Sequence, residues 1–183
     1  MHSLSFFEYL LTQNNSLFTL FLILMGVIII FIIVFYAINA FAITWNNQPI
    51  KPGFAGLPLK SPDKFKNVLL NMHPKTIQLF RIWLKFDYAF IPFFYAANIL
   101  CIILLRNYLG NVKKSSPALF NYILLIIIAA AITDLLENHF TLKNLSSENG
   151  LQKATLQLMR LFSRLKWLFI CLWIIALLIL IVQ

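Results

Sequence analysis

Four long apolar stretches constrain this chain more than any other feature. They cover about residues 17–43, 83–105, 118–140 and 166–182. About 20 residues of α-helix cross a hydrocarbon core roughly 30 Å thick, and in lipid only helices and closed barrels satisfy all of their backbone hydrogen bonds. The chain is 61% hydrophobic, whereas soluble domains are usually about half apolar. The sequence therefore predicts an all-α integral membrane protein: an antiparallel four-helix transmembrane bundle that forms one domain over residues 1–183.

Short interfacial helices are predicted beside the spans. Pro62 fits a first helical position, and apolar residues then recur at helical spacing until Pro74, which predicts a helix over about 62–72 on the membrane surface. Ser5 and Glu8 have capping-box spacing and predict another short surface helix. The start lacks the positive segment of a signal peptide, so we expect no cleavage.

Basic residues are concentrated in the first and third connections between the spans, and the net charge is +9. The positive-inside rule therefore makes these connections cytoplasmic and leaves both termini outside. We expect a bacterial cytoplasmic membrane, with the lipid bilayer and its anionic headgroups as partners of the basic face. Another membrane protein or a second copy of the chain is a further candidate partner. Nucleic acid is not expected, because the basic residues adjoin spans and form no separate module.

Acidic residues in the spans are the strongest indication of a functional site. An ionisable side chain at the centre of a membrane helix costs roughly 2.5 to 3.5 kcal/mol. Asp87 lies in the first turns of the second span, and the third span ends with Asp134, Glu137 and Asn138 at helical spacings of three and four. Antiparallel packing brings these residues to one membrane level, together with Asn39 of the first span. Asp87, Asp134, Glu137 and Asn138 are the predicted ligand-binding or metal-binding residues.

Other polar residues extend this group. Tyr95 and Asn98 continue the stripe of Asp87 along the second span. Several carboxylates in a low dielectric need a proton, a cation or a base. The bases in reach, as partners of the acids or of an anion, are Arg81, Lys85, Arg160, Arg164 and Lys166. The helical pattern is unbroken from Leu151, which predicts that the last helix extends into the cytoplasm.

A metal site has weaker support. Carboxylates suit magnesium or calcium, and His139 would shift the preference towards zinc or manganese. However, His139 lies about 100° around the helix from Asn138, so an interfacial position is expected, and a divalent cation is only one candidate cofactor. The sequence has no glycine-rich phosphate loop, paired CxxC, HExxH or GxSxG motif. Whether the protein is an enzyme is therefore left open, and no catalytic residue is assigned.

Two segments resemble an uncharacterised family of small bacterial four-span membrane proteins. They are "FDYAFIPFFYA", which has the family's aspartate followed by aromatic residues in helix two, and "AAITDLLENH", which has its D-x-x-E-N motif in helix three. The segment "KPGFAGLPL" is similar to a Pro-x-Gly segment after helix one. The resemblance covers about residues 20–145. It implies four spans and carries no activity.

The sequence leaves three functional hypotheses open. In the first, the polar cluster at the cytoplasmic mouth of the bundle binds a small polar or lipid-headgroup ligand, with or without a cation. In the second, the protein is an accessory or structural subunit of a larger membrane complex, and its acids form buried ion pairs. In the third it conducts protons or cations, although little polar sequence follows Asn98 except Asn121 and Tyr122.

Overall fold

The computed structural model of the protein describes residues 6–13, 15–46, 62–112, 117–146 and 152–182. Within these ranges the chain is built from α-helices, and four of them are long and apolar enough to cross a membrane. The predicted all-α membrane fold is therefore confirmed. The helices, in chain order, are α1 (Phe6–Gln13), α2 (Asn15–Asn46), α3 (Pro62–Leu70), α4 (Pro74–Val112), α5 (Pro117–Ser146) and α6 (Lys153–Val182).

Three of the long helices extend well past the predicted spans at one end of the bundle. α4 begins at Pro74, α5 continues to Ser146 and α6 begins at Lys153. Hydropathy marks only the strongly apolar part of a helix, whereas the added turns are amphipathic and bury residues such as Phe80 and Met159. The prediction that the last helix begins well before its apolar stretch is thus confirmed. We call this end, where α4 and α6 begin and α5 finishes, the basic end.

The short helices also form. α3 finishes at Leu70, slightly before its predicted end, and α4 begins at Pro74. A proline fits the first turn of a helix because its missing N–H would have no partner there. His73 caps α4, since its ring Nδ1 accepts a hydrogen bond of 3.2 Å from the Lys75 amide. At the other end of the bundle, α1 buries Tyr9 and Leu10 in one apolar cluster with Leu104 of α4.

Each long helix packs mainly against its neighbour in the chain, in the order α2, α4, α5, α6. The aromatic contacts between α2 and α4 run in opposite directions along the two helices: the Phe31 and Phe93 ring centroids are 5.8 Å apart, and those of Phe35 and Trp83 are 5.2 Å apart. α2 and α4 are therefore antiparallel, and the polar contacts of α5 with α4 and with α6 run in opposite directions in the same way. The main core lies between α4 and α5, with α6 packed against it, and consists of Ile91, Tyr95, Ile102, Leu109, Phe120, Ile123, Ile127 and Ala130. A second core at the basic end consists of Leu79, Phe80, Leu84, Leu145, Leu156 and Met159.

The two outer helices expose most of their apolar surface. In the most apolar segment of each helix, 11% of the residues of α2 and 6% of those of α6 are buried by the rest of the chain, against 33% for α4. Ile30 and Ile33 on α2 are each 61% exposed, and Leu178 on α6 is 57% exposed. Such surfaces are stable in lipid, where no water penalises them. The inner helices α4 and α5 are the ones that hold the polar residues away from hydrocarbon.

Candidate functional site

One lysine lies between two of the predicted acidic residues. Lys166 Nζ on α6 is 3.2 Å from Asp134 Oδ1 and 2.5 Å from Glu137 Oε2 on α5. The two acids are three residues apart on one helix and so face the same neighbour. All three side chains are largely buried, and that of Glu137 is only 5% exposed. The contact with Glu137 is an ion pair by its distance, although it lacks hydrogen-bond geometry.

A hydrogen bond joins the third acid to the same region. Asn138 Nδ2 on α5 donates to Asp87 Oδ2 on α4 over 2.7 Å. Asp87 is partly exposed. In the part of the chain that the structure describes, no lysine, arginine or histidine lies within ion-pair distance of Asp87. Among the described residues, Asp87 therefore has an amide partner but no base in contact with it.

Asp134 connects three helices. Its Oδ1 contacts Lys166 of α6, and its Oδ2 accepts a hydrogen bond of 3.2 Å from the Tyr95 hydroxyl of α4. Both carboxylate oxygens are thus occupied. We use "polar cluster" for this group of six residues, which consists of Asp87, Tyr95, Asp134, Glu137, Asn138 and Lys166.

The structure brings together five of the residues that the sequence indicated: Asp87, Tyr95, Asp134, Glu137 and Asn138. The two remaining asparagines behave differently. Asn98 Nδ2 donates to the Phe94 carbonyl of its own helix over 2.8 Å, and the described residues show no side-chain hydrogen bond from Asn98 to another helix. Asn39 Oδ1 is buried without a hydrogen-bond partner among the described residues.

The predicted arginines lie apart from the acids. Arg81 Nη2 donates to the Leu145 carbonyl near the end of α5. Arg160 is half-buried, Arg164 is exposed, and neither forms an ion pair within the described ranges. Arg81 precedes Asp87, and Arg160 precedes Lys166, by six residues, which is about 9 Å along a helix axis. Arg164 is only two residues from Lys166 but lies about 200° around α6, on an exposed face.

Sequence reasoning named Lys166 only as one of five available bases. Its pairing depends on the register between α5 and α6, which the helical pattern of each does not determine. Ser163, one turn earlier on α6, was missed altogether. Its side chain is fully buried and lies near Glu137, although its hydroxyl makes no hydrogen bond of ordinary geometry.

A second polar contact between α5 and α6 was also missed. Thr155 Oγ1 donates to Asn144 Oδ1 over 2.5 Å, and Asn144 Nδ2 lies 3.9 Å from the Met159 sulfur. All three side chains are buried. Asn144 precedes Leu145, whose carbonyl accepts from Arg81, so polar contacts link three helices at the basic end as well.

The described residues offer no ready-made metal site. No three His, Cys, Asp or Glu side chains within them come close enough together to hold an ion. His139 is exposed, and its ring packs edge-on against Phe140 at 5.3 Å between centroids. When all are ionised, the three carboxylates of the polar cluster carry more negative charge than the single ammonium of Lys166 can offset.

The chain matches no protein-family model, no curated protein and no solved structure.

Proposed function

We propose that this protein binds a small, positively charged polar ligand at the polar cluster, with Asp87 as the main contact. The observation that supports this proposal is the unequal distribution of partners: Lys166 forms ion pairs with both Asp134 and Glu137, while the described residues give Asp87 no ion pair and one side-chain hydrogen bond, from Asn138. A carboxylate at membrane depth is costly unless its charge is offset. A cation bound at Asp87 would offset it.

The position of Asp87 favours a ligand that comes from the headgroup region. Asp87 lies on α4 between the basic end and the buried core, and its side chain is partly exposed. We propose the orientation in which the basic end is cytoplasmic and both termini are outside, in a bacterial cytoplasmic membrane, because lysine and arginine are concentrated at that end. An ammonium-bearing lipid headgroup and a free metal cation share the required chemistry.

The test is thermal unfolding of the detergent-solubilised protein with added Na⁺, K⁺, Mg²⁺, Ca²⁺ or phosphatidylethanolamine. We expect one of these additives to raise the melting temperature of the wild type. Asp87→Asn, which keeps the shape and removes the charge, should abolish this rise. Asp63→Asn, on the exposed side of α3, is the matched control and should retain it.

The additives distinguish two sources of the positively charged ligand. Stabilisation by a metal ion alone identifies a free cation, whereas stabilisation by phosphatidylethanolamine alone identifies a headgroup. Equal shifts in wild type and Asp87→Asn, or no shift with any additive, would contradict the proposal.

A second candidate function is that of an accessory or structural subunit. It is favoured by the bridge from Lys166 to Asp134 and Glu137, because buried ion pairs can serve solely to fix how helices assemble. In that case Asp87→Asn should leave every additive response unchanged. Mild solubilisation followed by native gel electrophoresis should then give a complex larger than one 21.2 kDa chain. Conduction has less support, because Asn98, beyond the polar cluster, bonds to its own helix.

A further inference from the structure

A guanidinium group without an anion lies at the basic end. Arg160 on α6 is half-buried, and its Nε is fully shielded without a hydrogen-bond partner. Within the described ranges Arg160 makes no ion pair, hydrogen bond or ring contact. Arginine stays charged and carries five N–H donors, and burial of a charge is unfavourable unless it is paired. An anion from outside the described residues would therefore stabilise Arg160 in this position.

A second arginine supports the same conclusion. Arg81 on α4 donates one N–H to the Leu145 carbonyl, yet its Nε is also buried without a partner. The residues that precede the two arginines, Phe80 and Met159, belong to one core cluster with Leu145. The two arginines are thus attached at one level of the bundle, and each has a buried Nε without a hydrogen-bond partner. Neither has a carboxylate within ion-pair distance in the described structure.

We propose that Arg160 binds the phosphate of an anionic lipid headgroup, with Arg81 adding positive charge at the same level of the bundle. Guanidinium matches phosphate geometry through paired N–H donors. Leu161, which follows Arg160 in the chain, is 49% exposed, so α6 also offers apolar surface near Arg160 for acyl chains. Exposed lysines at the same end would draw anionic lipid to it, and these are Lys85, Lys143 and Lys153.

This site is separate from the one proposed at Asp87. It takes an anion rather than a cation, and it depends on other residues. The Asp87→Asn variant should therefore keep the lipid response described below, so failure of one proposal leaves the other standing.

The experiment is native mass spectrometry of the full chain with phosphatidylglycerol, phosphatidylcholine or inorganic phosphate, together with melting temperatures. We expect phosphatidylglycerol to bind tightly to the wild type and to Arg164→Gln, and to stay bound during the measurement. Arg164 is the matched control because it lies one turn along the same helix but is exposed. Arg160→Gln should weaken this binding by about tenfold or more, since it loses both the charge and the paired donors.

A second variant, Arg160→Lys, keeps the proposal testable if Arg160→Gln does not fold. It keeps the charge but loses the planar donor fork, so it should fold and still bind phosphatidylglycerol more weakly than wild type. Three outcomes would overturn the proposal: equal weakening by Arg160→Gln and Arg164→Gln, equal binding of phosphatidylcholine, or stabilisation by inorganic phosphate equal to that by the lipid. The last would assign the site to free phosphate.

Discussion

Lys166 and Glu137 form an ion pair of 2.5 Å between α6 and α5, with the glutamate side chain only 5% exposed. The same ammonium lies 3.2 Å from Asp134. One lysine therefore supplies the base for two carboxylates, and its loss would leave both of them unpaired.

Replacement of this lysine should be among the most damaging single changes in the chain. Lys166→Met should lower the free energy of unfolding by about 3 to 5 kcal/mol, the usual cost of removing one member of a buried ion pair. Denaturant titration of the micelle-bound protein, followed by circular dichroism, measures it. Lys85→Met, at an exposed position of α4, should change little.

Neutralisation of the acids should rescue that variant. Lys166→Met combined with Asp134→Asn and Glu137→Gln removes the unpaired charges and should recover most of the lost stability. If the single Lys166→Met variant is as stable as Lys85→Met, the lysine does not hold the two helices together.

The contact between Thr155 and Asn144 should stabilise the basic end of the α5 and α6 pair. Thr155→Val keeps the side-chain shape but leaves Asn144 Oδ1 buried without this donor. The expected loss is about 1 to 3 kcal/mol. Hydrogen exchange should become faster in the first turns of α6. Thr19→Val, an exposed threonine on α2, serves as control, and equal exchange rates in the two variants would refute the assignment.

Two isoleucines on α5 test which face of that helix is packed. Ile123 is fully buried and Ile132 is 52% exposed. Ile123→Ala should cost about 2 to 5 kcal/mol because it leaves a cavity, whereas Ile132→Ala should stay within about 0.5 kcal/mol of wild type. The measurement is again denaturant titration in micelles, and a reversed order would mean that α5 is rotated.

The proposed orientation can be tested by cysteine labelling. In a background with Cys101→Ser and Cys171→Ser, a membrane-impermeant maleimide on intact cells should label Arg106→Cys. It should label Lys143→Cys only after the membrane is opened. Both positions are exposed, one near the end of α4 and the other near the end of α5. Labelling of Lys143→Cys in intact cells would reverse the orientation.

The sequence predicted the spans and the depth of most polar residues but not their pairing. Spacing within one helix places Asp134 and Glu137 on a common face, and antiparallel order places Asp87 at the level of Asn138. Both follow from helix geometry alone. The choice of Lys166 over the two arginines of α6 depends on how far α6 is shifted along α5 and which face it turns towards it. That shift comes from side-chain packing of residues such as Thr155 and Met159, which no single-helix pattern contains.

Asn98 shows that a correctly predicted position does not determine the hydrogen-bond partner either. It lies on the stripe of Asp87, yet its amide bonds to the Phe94 carbonyl one turn earlier. An asparagine inside a helix can satisfy itself locally or reach a neighbour, and periodicity does not distinguish the two. The limits of α4 and α5 at the basic end escaped prediction for a different reason, since amphipathic turns add little to mean hydropathy; the early start of α6 was predicted.

The order of the long helices in space follows their order along the chain. During synthesis, each newly inserted helix could thus dock on the one made just before it. The α2 and α4 hairpin could close before α5 has been translated, and contacts between sequence neighbours form faster than distant ones. The polar cluster would be completed last: Asp134 and Glu137 would both be in the membrane before Lys166 leaves the ribosome, so the nascent protein passes through a stage in which two acids lack the lysine that pairs with them in the folded chain.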